Sequence, residues 1–485
     1  MIQMRTMETL LGGQWVAADE WLQVHDPSDT RTPVARVPAL GAGEVARAYD
    51  EAEKGFAVWR RTSPFDRARI FHETARLLRE RAATIAEAVV AENGKTLQEA
   101  GGEVQKSADF FEYYAGLARN GYGTLIHDAR PDTRTSFHHE PVGIVLAITP
   151  WNDPLLTPAR KLAPALATGN AVVLKPASET PMSALHLARA LHDAGLPAGV
   201  LGVVTGRGGR ISAPLVGDPR VAAVTFTGSN SVGEGLRASL ADRNVRFQGE
   251  LGGKNATVVL ADADLGAAVK ALMVAGFGQA GQRCTATSRV LVERPVYEEF
   301  TRLLLDAVAA LRLGPGASGS TGVGPLVSTG QRDSVLRDIE RAVKEGARVL
   351  TGGEAPQDEE YAHGCYVRPT VLGDVTREMA VWREEVFGPV VVVRPVDGFD
   401  EAVAEVNDSD FGLAAALFTR DLRSAHRFAD EADCGQVAIN TATTGWDVHH
   451  PFGGFHDSGS AFKEQGTEAL RFYTRVKTVA FNFGC

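Results

Sequence analysis

GIVLAI at 143–148, AVVLK at 171–175, VLGVV at 200–204 and AAVTF at 222–226 are four short β-rich runs separated by helical stretches. Strands that alternate with helices in this way argue for a parallel sheet in an α/β fold. A second alternating section follows Gly252, with KNATVVL at 254–260, RVLVE at 289–293, RVLTG at 348–352 and PVVVV at 389–393, spaced by helical segments such as 296–311 and 331–345. It predicts a second α/β domain. Upstream, the first third reads as helical: Phe71, Ala75, Leu78, Ala82, Ile85 and Val89 recur at spacings of three and four, and Asn93-Gly94 supplies a stop. TRTSFHHEPV at 133–142 and RVKTVAFNF at 475–483 fit neither domain and read as extended ribbons with exposed edges, for which another subunit is the economical partner.

A chain of 485 residues, 44% of them apolar, can bury two or three domain cores. Its 50 basic and 60 acidic residues give a net charge of −10, which offers no basic field to a nucleic-acid backbone. No run approaches the roughly 18 apolar residues that span a bilayer, and the N-terminal stretch mixes Arg5, Glu8 and Asp19 with its hydrophobics, so the reading is a cytoplasmic protein. Cys284, Cys365, Cys434 and Cys485 are too few and too scattered for a disulfide framework or a zinc site. The paired histidines, His138-His139 and His449-His450, read as solvated or packed, and no metal is assigned. No repeat, low-complexity tract or long linker separates the domains.

Three segments could carry chemistry. Cys284 lies in GQAGQRCTATSRV, a small and polar stretch between apolar runs where solvent can approach a thiol; the plainer reading is a buried small hydrophobe. Glu250 opens ELGGKN, where Gly252 and Gly253 permit backbone turns that other residues resist, and it reads either as a functional carboxylate or as a solvated turn. Asn152, in ITPWNDPL at 148–155, follows the strand 143–148 at its carboxyl end, where open α/β sheets place ligands; it suits an oxyanion donor or a helix cap. Lys175 ends a strand and suits a ribose or phosphate. FTGSNSVG at 226–233 opens a helix where Ser229, Gly228 and Gly233 could meet a pyrophosphate, although the spacing is not the usual glycine fingerprint.

Taken in order, PWN at 150–152, KPAS at 175–178, FTGS at 226–229, ELGGKN at 250–255, GQRC at 281–284, EEVFGPV at 384–390 and PFGG at 451–454 resemble the aldehyde dehydrogenase superfamily from about residue 10 to the C-terminus. The resemblance implies a Rossmann-like dinucleotide-binding domain over 1–126 and 144–252, an α/β catalytic domain over 253–455, and a β-ribbon oligomerisation element over 127–143 and 470–485 that makes a homodimer or homotetramer. It implies NAD or NADP as cofactor and a small-molecule aldehyde as substrate. Cys284 then corresponds to the nucleophile, Glu250 to the general base, Asn152 to the side-chain oxyanion donor beside the Cys284 N–H, and Lys161 to a lysine lining the site. Lys175 and Glu385 correspond to the ribose contacts, Phe387 to the aromatic beside the nicotinamide, and Ser229 and Trp151 to phosphate-side and pocket contacts. Thr149, Pro150, Ser178, Gly208, Thr227, Gly228 and Leu251 complete the implied cofactor contacts.

The implied chemistry explains these residue types. A thiolate attacks the aldehyde, preorganised donors stabilise the oxyanion, hydride leaves to the nicotinamide, and a carboxylate activates water against the thioester. Relatives that pass the acyl group to coenzyme A generally lack the carboxylate at the Glu250 position, so its presence favours hydrolysis; a binding-only relative is the other alternative.

Some positions depart from the common pattern. Ser178 stands where NAD-preferring relatives often carry Glu, which leans toward NADP, although Glu179 is adjacent. Asp153 replaces a common aromatic. Arg283, directly before the nucleophile, could salt-bridge to Asp153, lower the Cys284 pKa or clamp a substrate anion. QRCTATSR resembles relatives that oxidise semialdehydes of dicarboxylic acids such as α-ketoglutaric semialdehyde, so a carboxylate-bearing aldehyde is expected, with neutral aliphatic or aromatic aldehydes as the alternative. Phe462 and Lys463 stand where many relatives have Gly-Arg.

Overall fold

The structure, a computed structural model of the chain, describes residues 4–120 and 123–484, so Cys485 and the outermost residues of the segments 1–126 and 470–485 lie outside the described residues. The four runs that open the sequence reading are joined by a fifth, Arg246–Glu250, in one parallel sheet. Its order is Leu201–Val203, Ala171–Lys175, Ile144–Ile148, Val221–Thr227, Arg246–Glu250. The chain builds outward on one side of Ile144–Ile148, then crosses back to lay Val221–Thr227 on its other side. The loops leaving these two neighbours diverge, which opens a crevice at their carboxyl ends.

Alternation along Ile144–Ile148 divides the surrounding core. Val145 and Ala147 pack in one cluster with Phe71 and Phe111, from the helices Pro64–Glu80 and Leu97–Ala118. Ile144 and Leu146 pack on the opposite face with Val45 and Tyr49 of the helix Ala42–Trp59. Successive strand side chains point to opposite faces, so a run apolar at every position is one covered by helices on both sides.

Two expectations for the first third are corrected. It opens with strands, Arg5–Thr6, Trp21–Asp26 and Asp29–Pro38 in one sheet and the hairpin Thr9–Leu11 with Gln14–Val16, before any helix begins. The periodic run 71–89 is not one helix: it breaks at Arg81 (φ −95°, ψ 12°) into Pro64–Glu80 and Ala82–Asn93. Both pieces turn the same stripe to one core, so the bend leaves the spacing intact. The stop at Gly94 holds, with φ 86° in the left-handed region that glycine adopts without a Cβ clash.

The second sheet has seven strands in the order Arg348–Thr351, Thr370–Gly373, Val390–Val396, Thr287–Glu293, Asn255–Val259, Ala414–Phe418, Gln436–Ile439. All neighbours are parallel except the edge strand Arg348–Thr351, and the sheet has its own apolar core. The two ribbons pair with each other: Thr133–Pro141 lies antiparallel to Thr474–Asn482, and Gly123–Ile126 adds a third strand on the other side. Their mutual pairing satisfies the inner edges within one chain and leaves Gly123–Ile126 and Thr474–Asn482 as the outer edges. Among the described residues no helix is long and apolar enough to cross a membrane.

Candidate active site

Cys284 stands at a neck between two cavities. On one side a cavity of about 290 Å³ runs over the crevice of the first sheet; on the other a cavity of about 340 Å³ opens toward Arg283 and Trp446. Cys284, Asp153, Arg160 and Phe452 line both.

The loop that presents the thiol is held by its neighbours. The Asn255 amide donates to the Cys284 and Ala286 carbonyls at 2.7 and 2.8 Å and accepts from the Ala414 N–H at 2.9 Å. Gly252 and Gly253 have ordinary negative-side backbone, so the turn-making role expected of them is corrected: what they supply is clearance. A Cβ on Gly253 would lie 2.7 Å from the Cys284 carbonyl oxygen, and one on Gly252 would lie 2.6 Å from Glu385 Oε2. Removal from bulk water pushes the Cys284 thiol up to about 12, with the Arg160 guanidinium opposing the shift.

Asn152 is buried at the end of the loop leaving Ile144–Ile148, and its Nδ2 donates to the Gln282 carbonyl at 3.0 Å, two residues before the sulfur. Glu250 ends the last strand of the first sheet. One of its oxygens accepts from Gln248 Nε2 at 3.0 Å, while Oε2 is buried without a partner among the described residues. Burial, and next the Glu464 charge, hold the Glu250 carboxyl well above the usual range. Lys161 lines neither cavity. Fully buried, it ion-pairs with Glu464 and donates to Thr225 Oγ1 at 2.9 Å, so it reaches Glu250 only through the field of that pair. Burial lowers the Lys161 pKa; burial would raise that of Glu464, but Lys161 and Arg160 outweigh it and keep Glu464 below its ordinary value.

The crevice side gathers most of the remaining candidates. Pro150, Trp151, Thr227, Gly228, Ser229 and Leu251 line it from the first sheet, and Glu385 and Phe387 face them from the second. Trp151 and Phe387 meet edge to face at 5.2 Å. Phe387 holds φ 55° with its carbonyl fixed by Gln331 Nε2 at 2.9 Å. Glu385 accepts from the Gly253 N–H at 2.9 Å, and burial pushes its carboxyl up to about 7. Ser229 stands at the N-cap position of the helix Asn230–Ser239 but makes no side-chain bond to the first N–H groups of that helix; its hydroxyl lies 3.4 Å from Ser231 Oγ. Thr149 is buried with its hydroxyl unpartnered among the described residues, and its N–H donates to the Lys175 carbonyl at 3.1 Å. Lys175 is buried at its strand end, where burial lowers its pKa. Ser178 donates to the Gly206 carbonyl at 2.9 Å and lines, with Glu179 and Arg207, a separate cavity of about 430 Å³; Gly208 begins the next helix.

One reading of Arg283 is corrected. Asp153 is taken by Lys95 at 2.7 Å and by Gln279 Nε2 at 3.1 Å, so the salt bridge to Arg283 is not formed. The cation that most opposes the rise of the Cys284 pKa is Arg160, on the same helix as Lys161. Arg283 instead lines the second cavity with its guanidinium over Gly278. Arg160, Glu464 and Lys95 escaped the sequence reading, since a charged residue beside a motif reads as surface unless its burial is known.

A parallel sheet with a crevice at its strand reversal faces a half-buried cysteine on a loop of the second domain, an arrangement of the nucleotide-dependent oxidoreductase class. The sequence pattern of the aldehyde dehydrogenase family matches residues 15–479, and the chain belongs to that family: it is an oxidoreductase that acts on aldehydes with a nicotinamide dinucleotide. The chain is similar to an alpha-ketoglutarate semialdehyde dehydrogenase of Haloferax volcanii, 43% identical over 97% of this chain and 98% of that one. It is also similar to an alpha-ketoglutaric semialdehyde dehydrogenase of Bacillus subtilis, 38% identical over 98% of each. Among solved structures it superposes on betaine aldehyde dehydrogenase of Staphylococcus aureus in complex with NAD+, with a TM-score of 0.96, 32% identity and coverage of 99% and 95%. It superposes likewise on 3,6-anhydro-L-galactose dehydrogenase in complex with NADP, with a TM-score of 0.95, 34% identity and coverage of 99% and 100%.

Proposed function

We propose that the chain oxidises a semialdehyde, an aldehyde with a distal carboxylate, to the diacid through a thioester on Cys284. The observation that carries this reading is the second cavity, which leads to the sulfur past Arg160, Arg283 and Lys106. Its three acidic residues are already engaged: Lys95 bridges Glu103 and Asp153, and Glu99 binds Thr96 and Gln279. Arg283 thus faces the incoming substrate with no ion-pair partner among the described residues, and a guanidinium is suited to a bidentate carboxylate contact. The names of the two curated relatives support the same substrate class.

In this reading the Cys284 sulfur attacks the aldehyde carbon, and the second N–H of the Asn152 amide, with the Cys284 backbone N–H, receives the charge on oxygen. Such donors are worth ~3–4 kcal/mol each when removed from comparable sites. Trp151, Ser229, Glu385 and Phe387 would hold a nicotinamide dinucleotide in the crevice, and the group would supply the hydride acceptor there. Glu250 then takes a proton from the water that attacks the thioester, and the buried Lys161–Glu464 pair sets the field around it. The crevice fits the dinucleotide in its uncapped helix end at Ser229 and the Trp151–Phe387 wall. NADP is the preferred form, because Ser178 brings no charge against a 2′-phosphate and Arg207 lines the same recess. The three-stranded ribbon, which exposes Leu125, Val476 and Phe481, is assigned to a homo-oligomeric contact, with the domain boundaries 1–126 and 144–252, 253–455, and 127–143 and 470–485. A cytoplasmic location suits the unpaired thiols.

Reduced-nicotinamide absorbance with a panel of semialdehydes and chain-matched neutral aldehydes, on the parent and Arg283→Ala, tests the reading. We expect kcat/KM for the anionic aldehydes to fall at least tenfold in the variant with neutral ones little changed. Equal turnover of both classes by the parent would remove the anion contact.

A further inference from the structure

We propose that Glu99 is a positioning residue: with Asp153 it fastens the two oxyanion donors, Asn152 and the Cys284 N–H, to one turn of the helix Leu97–Ala118. The inference rests on the oxyanion roles proposed above, and it begins from a strained backbone. Gln279 (φ 53°, ψ 32°) and Ala280 (φ 53°, ψ 35°) are consecutive left-handed residues, neither of them glycine, just before the nucleophile. Such conformations persist only where the surroundings over-determine them.

The surroundings here are specific. Glu99 Oε1 accepts the Gln279 N–H at 2.6 Å, and Asp153 Oδ1 accepts Gln279 Nε2 at 3.1 Å. The Gln279 carbonyl accepts both the N–H and the side-chain amide of Gln282, at 3.1 and 3.2 Å, and the Gln282 carbonyl in turn accepts from Asn152. Gln282 Oε1 is fixed from outside by the Val327 N–H at 3.0 Å. The Asn152 loop is tied to the same helix: Lys95 holds Asp153, and Glu103 accepts the Leu155 and Leu156 N–H groups at 2.9 and 3.0 Å.

Glu99 divides its two oxygens between these tasks. Oε2 closes the cap of its own helix, accepting the Thr96 N–H and hydroxyl, each at 3.0 Å, and this aims Oε1 outward at Gln279. Two segments remote in sequence are therefore registered against each other through a third, and the space between their donors is set by residues 95–103.

The test compares Glu99→Ala, Glu99→Gln, Thr96→Ala and Gln279→Gly. Two readouts separate donor geometry from thiol access: acylation of Cys284 by a p-nitrophenyl ester, which needs the oxyanion donors, and its alkylation by iodoacetamide, which does not. We expect Glu99→Ala to slow acylation at least tenfold with alkylation within twofold. Glu99→Gln keeps an acceptor oxygen and should recover to within threefold of the parent. Thr96→Ala removes the cap hydroxyl but keeps the Thr96 N–H on Oε2, which still holds Glu99 toward Gln279, so it should lower the melting temperature with acylation within threefold. Gln279→Gly relieves the left-handed backbone, so it should melt no lower than the parent yet acylate at least tenfold more slowly, which covers the case of an unfolded Glu99→Ala. Unchanged acylation in Glu99→Ala or Gln279→Gly, or an equal loss in Thr96→Ala, overturns the proposal. A parent that acylates from the ester but turns over no semialdehyde overturns the substrate reading alone.

Discussion

Lys161 and Glu464 form an ion pair in which both side chains are closed to solvent, with Glu250 next to it. Breaking a buried pair from one side strands a charge, at a cost of about 3–5 kcal/mol. Lys161→Met should therefore lower stability by that order, read as a shift in the urea midpoint, although Arg160 still faces Glu464 and keeps the loss toward the lower end. An unchanged midpoint would mean that Glu464 takes up a proton instead.

Glu464→Gln acts on the same pair in the opposite sense. It removes the negative neighbour that helps to hold the Glu250 carboxyl up, so Glu250 should ionise at lower pH. The limb of the kcat–pH profile that follows the base should move to lower pH, and a limb that stays in place would separate Glu250 from the rate-limiting proton transfer.

Burial pushes the thiol of the proposed nucleophile up to about 12 and holds the carboxyl of the proposed base, Glu250, well above its usual range. Each must lose a proton to act, so kcat/KM should rise from neutral into alkaline solution. A profile flat between roughly pH 7 and 9 would show that a bound ligand resets these values.

Gly253→Ala places a methyl group 2.7 Å from the Cys284 carbonyl oxygen, a backbone atom that cannot swing aside. Overpacking of this kind costs ~1–3 kcal/mol, and the displaced loop should lose at least tenfold in turnover. Full activity in that variant would show that the Cys284 loop tolerates displacement.

Ser178→Glu adds a carboxylate to a recess that already holds Glu179 and faces Arg207. The ratio of kcat/KM for NADP over NAD should fall at least tenfold, and Arg207→Ala should lower the same ratio without a new charge. Ratios unchanged in both would place 2′-phosphate recognition elsewhere.

Four strands of the first sheet were legible because they are short, largely apolar runs, a pattern that helices on both faces produce, whereas the fifth, RFQGE at 246–250, carries no such run. The reversal between Ile144–Ile148 and Val221–Thr227 was not, since strand order leaves no trace in local composition. Cys284, Glu250 and Asn152 stood out because each lies in a short polar or glycine-bearing stretch next to an apolar run, in motifs whose order resembles one family. Gly252 and Gly253 were noticed for the wrong reason: glycine in a sequence suggests a turn, whereas here it answers to neighbours more than 30 residues away, at Cys284 and Glu385. Glu99 and Lys95 look like ordinary solvated charges at a helix start, and only their partners on other segments distinguish them.

The neck at Cys284 has a consequence for traffic. In the proposed reaction the acyl group on the sulfur stands in the passage between the two cavities and parts them. The acid can leave only by the door its aldehyde used, while the spent dinucleotide has its own exit. In that reading a molecule long enough to occupy both cavities at once would stop either guest from leaving.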